Sequence, residues 1–217
     1  MIKSVIFDLD GTLIDSMKIW YDVDRNFLKH MGVKNIPEGI SEKMKTLTIE
    51  KAADYFINKF NFDVSPEYII NKIRELVRIE YEENIPLKPY AKELLEFLKE
   101  NNIPCGIATA TYRSLAESVL KRCGIYDYFR FILNDSDYPK GKKCPDIFFG
   151  AAERLNTLPC ETLVVEDSLH ALRTAAGAGF PTVAVYEETA FKEENEIKKT
   201  ADMYFYSLKD IIGLFGE

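Results

Sequence analysis

Two carboxylates, Asp8 and Asp10, stand directly after the apolar run Val5-Ile6-Phe7 and directly before Gly11. A short apolar run closed by a glycine turn reads as a buried strand. Asp8 then falls at the strand end and Asp10 in the turn, with both able to face one opening. Like charges a few ångströms apart raise one of the two pKa values strongly. Such a pair needs a metal ion or a division of roles, one carboxylate serving as nucleophile or metal ligand and the other as proton donor and acceptor. The same residues also admit a purely structural reading, because Asp side chains bond turn backbone and glycine supplies a positive φ.

The elements that must position this pair come in two kinds. From 15 to 83 the chain is charged and amphipathic, with apolar residues at helical spacing. It predicts helices over 17–30 and 48–59 and a third begun by Ser65-Pro66-Glu67, with Ser as cap and Pro in the first turn. Trp20 sits in the first of these, where a large aromatic is either core or substrate-facing. Pro86 and Pro89 mark a boundary, after which strands and helices alternate. Helices are expected over 90–101, 114–122 (closed by Gly124), 146–155, 168–178 (closed by Gly179) and 207–215. Strands are expected over 103–108, 131–133, 163–165, 182–185 and 203–205, and 187–199 reads as a solvated connection. This alternation predicts an α/β fold, a doubly wound parallel sheet with right-handed crossovers. The predicted boundaries are an α/β core over 1–15 and 87–217 and an inserted α-helical cap over 16–86. Two connections to the core make that cap a hinged lid that sets specificity.

Parallel strands bring their ends to one rim, where ligands bind in open α/β sheets. Asp8 and Asp10 follow the first strand, Thr109 the second, and Glu166 with Asp167 the strand at 163–165, while Lys142 and Lys143 precede the helix at Asp146. Four carboxylates on one rim require a hard cation with oxygen ligands, and Mg²⁺ is the expected one. A bound phosphate would in turn require a lysine, with donors from a strand-end hydroxyl and a helix-start amide. Each residue has a structural alternative. Glu166-Asp167-Ser168 can be a helix N-terminus capped by Ser168, Thr109 a plain strand end, and Lys140, Lys142 and Lys143 a solvated basic loop. His170 is expected on an outer helix face.

Bulk properties narrow the partners. The 217 residues are 47% hydrophobic and carry a formal charge of -7, with a pI near 5.1. That surface field argues against nucleic acid and anionic membranes, though it does not forbid an anionic substrate in a local pocket. No stretch reaches the roughly 18 apolar residues of a membrane helix, and the start runs straight into a strand without an export signal. Cys105, Cys123, Cys144 and Cys160 lack metal spacing and read as free thiols in a reducing cytoplasm; a monomer is expected. With only His30 and His170 present, a histidine metal cluster is out.

Asp8-Leu9-Asp10-Gly11-Thr12-Leu13 with Asp15-Ser16, Thr109, Gly141-Lys142 before Pro145-Asp146-Ile147-Phe148, and Val164-Val165-Glu166-Asp167-Ser168 resemble the four ordered motifs of the haloacid dehalogenase superfamily. The resemblance is to its helical-cap branch, the β-phosphoglucomutase and sugar-phosphatase-like group. It implies a Mg²⁺-dependent phosphatase for a small phosphorylated metabolite, by default a sugar phosphate. Asp8 would be the nucleophile forming an aspartyl phosphate, and Asp10 the acid and then the base. Asp8, the backbone carbonyl of Asp10, Asp167 and, directly or through water, Glu166 would hold the metal. Thr109 and the amide of Ala110 would bind phosphate, and Lys142 would offset its charge. The chain departs from the pattern at Lys143 (often Pro), Tyr90 and Ala171 (often Gly). It also departs at Trp20, near which mutase relatives carry a His, and at Met44-Lys45-Thr46-Leu47, where they carry an Arg- and Gly-containing loop. A sugar phosphomutase is the alternative activity, and a non-catalytic phosphate-binding module the third.

Overall fold

A computed structural model describes residues 1–44 and 47–215, the side chain of Glu42 excepted. Six strands form one sheet: β1 (Ser4–Phe7), β2 (Cys105–Ala108), β3 (Phe129–Leu133), β4 (Thr162–Glu166), β5 (Thr182–Val185) and β6 (Met203–Phe205), in the order β3-β2-β1-β4-β5-β6 with every pair parallel. This is the doubly wound order, in which the strand sequence reverses beside β1 and opens a crevice at the carboxyl ends. Strands covered on both faces read as unbroken apolar runs, and β1, β2, β4 and β5 are buried throughout.

Helices α5 (Ala91–Glu100), α6 (Arg113–Arg122), α7 (Asp146–Leu155), α8 (Leu169–Gly177) and α9 (Glu194–Thr200) belong to the same unit. Ile147, Phe148 and Ala151 of α7 and Ala171 and Ala175 of α8 close over Ile6, Ala108 and Val164 of the sheet. The C-terminus of α6 ends, as its sequence predicts, on Gly124 at φ +68°. Tyr90, at the place of the signature glycine, holds φ +65°, a left-handed backbone that costs a side-chain-bearing residue about 1–2 kcal/mol.

Two expectations are corrected. The stretch 187–199 is not a solvated connection: a 3₁₀ turn, Glu188–Ala190, leads into α9, whose Ile197 is buried with Leu169, Leu172 and Ala184. Glu187 is buried against Lys88 at 2.6 Å. One apolar residue anchors the charged helix and the counter-charge comes from a distant segment, so no local pattern carries either. The last element, Leu208–Phe215, is a 3₁₀ rather than an α-helix. Phe215 rests on Phe97, ring centroids 6.4 Å apart.

Contacts divide the chain into Met1–Met17 with Ile85–Glu217, and Lys18–Asn84. Within the first unit the segments leading out and back lie side by side, with Asp15 N donating to Pro86 O (3.0 Å) and Lys88 N to Leu13 O (2.9 Å). The second unit is built from α1 (Met17–His30), α2 (Ile40–Met44), α3 (Ile49–Phe60) and α4 (Pro66–Ile79). Thr48 and Ser65 cap α3 and α4 by accepting from Lys51 N (3.4 Å) and Tyr68 N (3.2 Å). Phe27, Leu28, Ile40, Ala53, Phe56, Ile69 and Ile73 form its core. Trp20 is outside that core, 40% exposed, and its indole N–H donates to the Tyr81 hydroxyl at 2.9 Å. Tyr81 belongs to a π-helical turn, Glu80–Asn84. Lys45 and Thr46 lie outside the described residues.

Asp24 of α1 is buried, and desolvation lifts its carboxyl from 3.8 to about 6. A carboxyl whose folded pKa is raised binds more protons folded than unfolded. Its effect on stability is therefore most favourable below about pH 4, is lost as pH rises to about 6, and stays lost above. Asp24→Asn is expected to stabilise the protein by about 1–2 kcal/mol at pH 7, a figure discounted for residual solvent screening, and by nothing at pH 4. Denaturant titrations of both chains across that range measure the difference, and a pH-independent difference would contradict it.

Candidate active site

Three strand ends and one loop build the site. In the parallel register Phe7 lies opposite both Ile107 of β2 and Val165 of β4. The Asp8 amide continues the ladder onto Val165 O at 2.9 Å, which puts the Asp8 carboxylate beside Glu166. The Thr109 amide extends β2 in the same way onto Leu133 O at 3.0 Å. Lys142 arrives in the 3₁₀ turn Gly141–Lys143 that precedes α7. The basic run thus splits: Lys142 is buried, while Lys140 and Lys143 remain exposed.

The Lys142 ammonium donates to both Asp8 and Glu166. The other oxygen of Glu166 accepts from the amides of Asp167 and Ser168, each at 3.0 Å, and from the Ser168 hydroxyl at 2.9 Å. Ser168 does occupy the N-cap position of α8, but its side chain makes no cap bond there. Glu166 is therefore spent on protein donors, while Asp8 and Asp167 line the open cleft. Carboxylate oxygens of Asp8, Glu166 and Asp167 all lie within 4.8 Å of one another. Gly11, at φ +77°, lies against Asp167, and a Cβ there would collide with its carboxylate. Three buried carboxylates against one ammonium form a hard, net-negative oxygen donor set, which fits Mg²⁺.

Electrostatics separates these groups. Burial, helped by Glu166 and Asp10 and opposed by Lys142, lifts Asp8 from 3.8 to about 7. Burial, Glu166 and Asp8 push Asp167 well above the usual carboxylate range. Burial works against ionised Glu166 too, yet Lys142 and the Ser168 donors outweigh it and hold this carboxyl low. Lys142 is held charged against burial by Asp8 and Glu166.

Asp10 is kept out of this cluster. Its two oxygens accept from the hydroxyls of Ser16 (2.6 Å) and Thr111 (2.5 Å). Asp8, Asp10, Thr109, Ala110, Lys142 and Asp167 nevertheless line one cleft of about 260 Å³, which Lys140, Lys143 and His170 also border. His170 is exposed on α8, as expected, but on the cleft side. Sequence reasoning did not single out Ser16 or Thr111 as partners of Asp10. The available signal was a hydroxyl in each loop beside a proposed site residue, six residues from Asp10 and two from Thr109.

Residues 5–185 match the model of the haloacid dehalogenase-like hydrolases. A phosphorylated carbohydrates phosphatase of Thermotoga maritima is 26% identical over 181 residues, 83% of each chain. A β-phosphoglucomutase of Bacillus subtilis is 25% identical, with 93% of this chain and 91% of that one covered. The crystal structure of a β-phosphoglucomutase from Clostridium difficile superposes with a TM-score of 0.70 at 26% identity, over 97% of this chain and 93% of that one. The sheet order that gathers these strand ends and a family match over most of the chain agree: the protein belongs to the haloacid dehalogenase-like hydrolases.

Proposed function

We propose that the protein is a Mg²⁺-dependent phosphatase that hydrolyses a small phosphorylated metabolite through an aspartyl phosphate on Asp8. The observation that carries this reading is the asymmetry of the opening pair. Asp8 is buried on Lys142 beside Asp167, while Asp10 is held apart by two hydroxyls. One carboxylate is thus placed to attack and the other to handle protons.

In this reading the Thr109 hydroxyl, the Ala110 amide and Lys142 take the phosphate oxygens. An ammonium offers three donors; two go to Asp8 and Glu166, which leaves one for the substrate. An Asp8 oxygen attacks phosphorus as the ester bond breaks, and Asp10 passes its proton to the departing oxygen. Asp10, now ionised, takes a proton from the water that hydrolyses the aspartyl phosphate, and Asp8 is regenerated. Asp8, the Asp10 carbonyl and Asp167 would hold Mg²⁺, with Glu166 acting behind Lys142. The ion, when bound, supplies positive charge to the phosphoryl oxygens. Positioning and electrostatics are nearly all that phosphoryl transfer asks of a protein.

A sugar phosphate is the default substrate, in keeping with relatives named for phosphorylated carbohydrates. The phosphomutase alternative draws on the β-phosphoglucomutase relatives. Trp20, near the place where such relatives carry a His, spends its N–H on Tyr81, which favours hydrolysis. A screen of phosphorylated metabolites, including both glucose phosphates, separates the two by product: free phosphate or an isomeric ester.

Asp8→Asn is expected to abolish phosphate release from a generic aryl phosphate, and Asp10→Asn to slow it by roughly 10²–10⁴-fold. Near-normal turnover by purified Asp8→Asn would overturn the nucleophile assignment. Two protein carboxylates and a main-chain carbonyl are few ligands, which suits an ion completed by water and substrate. Exhaustive chelation and dialysis should therefore stop turnover and added Mg²⁺ restore it; undiminished activity after chelation would refute the metal requirement.

A further inference from the structure

The proton-handling carboxylate is gripped from a second loop. The Thr111 hydroxyl donates to Asp10 Oδ2 at 2.5 Å, across more than a hundred residues of sequence, while Ser16 holds Oδ1 at 2.6 Å. Thr111 is buried, and its backbone is pinned at both polar groups. Its amide donates to Thr109 Oγ1 (3.0 Å), and its carbonyl accepts from Asn134 Nδ2 (3.3 Å). Asn134 is itself buried: its Oδ1 accepts from the Ser136 amide at 3.0 Å and its own amide donates to Asp137 at 3.0 Å. Arg113, in the first turn of α6, fixes Asp137 at 2.8 Å. The loops after β2 and β3 therefore hold this hydroxyl in place ahead of any substrate.

That arrangement has a chemical consequence. A general acid must stand within about 2.6–3.2 Å of the oxygen it protonates, and a lone aspartate in a turn would divide its time among rotamers. Because Thr109 Oγ1 already accepts the Thr111 amide, its own O–H is directed elsewhere. One three-residue turn thus aims both the phosphate-facing hydroxyl and the acid. We propose that Thr111 is a positioning residue for Asp10, its hydroxyl fixing the carboxyl group that exchanges a proton with the leaving oxygen. The proposal rests on the assignment of Asp10 as general acid. As the P–O bond breaks, its electron pair stays on the ester oxygen, the proton moves there from Asp10, and Thr111 keeps its own proton throughout.

Leaving-group dependence tests this. The parameter kcat/KM covers steps only up to ester cleavage, so phenyl phosphate, whose leaving oxygen needs a proton, can be set against p-nitrophenyl phosphate, whose leaving oxygen hardly does. Thr111→Val is expected to lower kcat/KM for phenyl phosphate by about 10–100-fold, a part of the whole general-acid contribution. The p-nitrophenyl ester should lose less than about threefold, and Thr111→Ser should restore phenyl phosphate to within about threefold of the parent, since either hydroxyl can donate. Asp10→Asn should discriminate in the same direction and more strongly. If Asp10→Asn discriminates but Thr111→Val slows both esters equally, the positioning role is overturned and the acid assignment stands. If Asp10→Asn does not discriminate, the acid assignment fails and the proposal with it. Should Thr111→Val not fold by circular dichroism, Thr111→Ala against Thr111→Ser carries the same comparison.

Discussion

A lysine ammonium buried between two carboxylates is the interaction on which the candidate site depends. Lys142 bonds Asp8 and Glu166, all three nearly sealed from water. Removing ions from water is costly, and a buried group that loses its partner costs several kcal/mol. These three are therefore committed to one another and to the backbone that delivers them. The register of β1 against β4 supplies two of them. The turn before α7 supplies the third, and α7 is held to the sheet through Ile147, Phe148 and Ala151. Packing on one face of the sheet thus sets where a charge sits at its end.

Burying such a cluster is a poor way to gain stability, because well-packed apolar residues would often do as well or better. Three carboxylates share one ammonium, and burial, reinforced by the neighbouring negative charge, drives Asp8 and Asp167 above the ordinary carboxylate range. A site strained in this direction is relieved by any cation that offers further positive charge to oxygen ligands. Glu166 is exempt, held low by Lys142 first and then by the backbone amides and Ser168 hydroxyl that complete its shell. It acts as the fixed anchor of the lysine, while Asp8 and Asp167 keep access to the cleft.

Two aspartates of the same turn thus receive opposite surroundings. Asp8 is given charge and burial, and Asp10 is given two neutral hydroxyl donors from different loops. In the proposed reaction that difference in environment, rather than residue type, would divide their chemistry. The helical unit of α1 to α4 is held by its own core of Phe27, Phe56, Ile69 and their neighbours.

Much of this was legible in the chain itself. The apolar runs around β1 and β4, the β-α alternation, the Ser65 cap and the rim placement of Asp8, Thr109 and Glu166 follow from periodicity and from the directionality of parallel strands. So does the doubly wound class. These features are local, or repeat regularly, and so leave a pattern. What tertiary structure alone decided is which side chains meet. A basic loop of three lysines does not say which one is buried, and only Lys142 is. The charged run at 187–199 hides the anchoring of Ile197, and the partner of Glu187 is a lysine nearly a hundred positions away. Ser168 occupies a cap position yet turns its hydroxyl onto Glu166. The hydroxyl on Asp10 comes from Thr111 across the width of a strand pair. Each of these depends on distances between segments remote in sequence. Such distances are set by sheet register and helix packing, which leave no mark in the spacing of any one stretch.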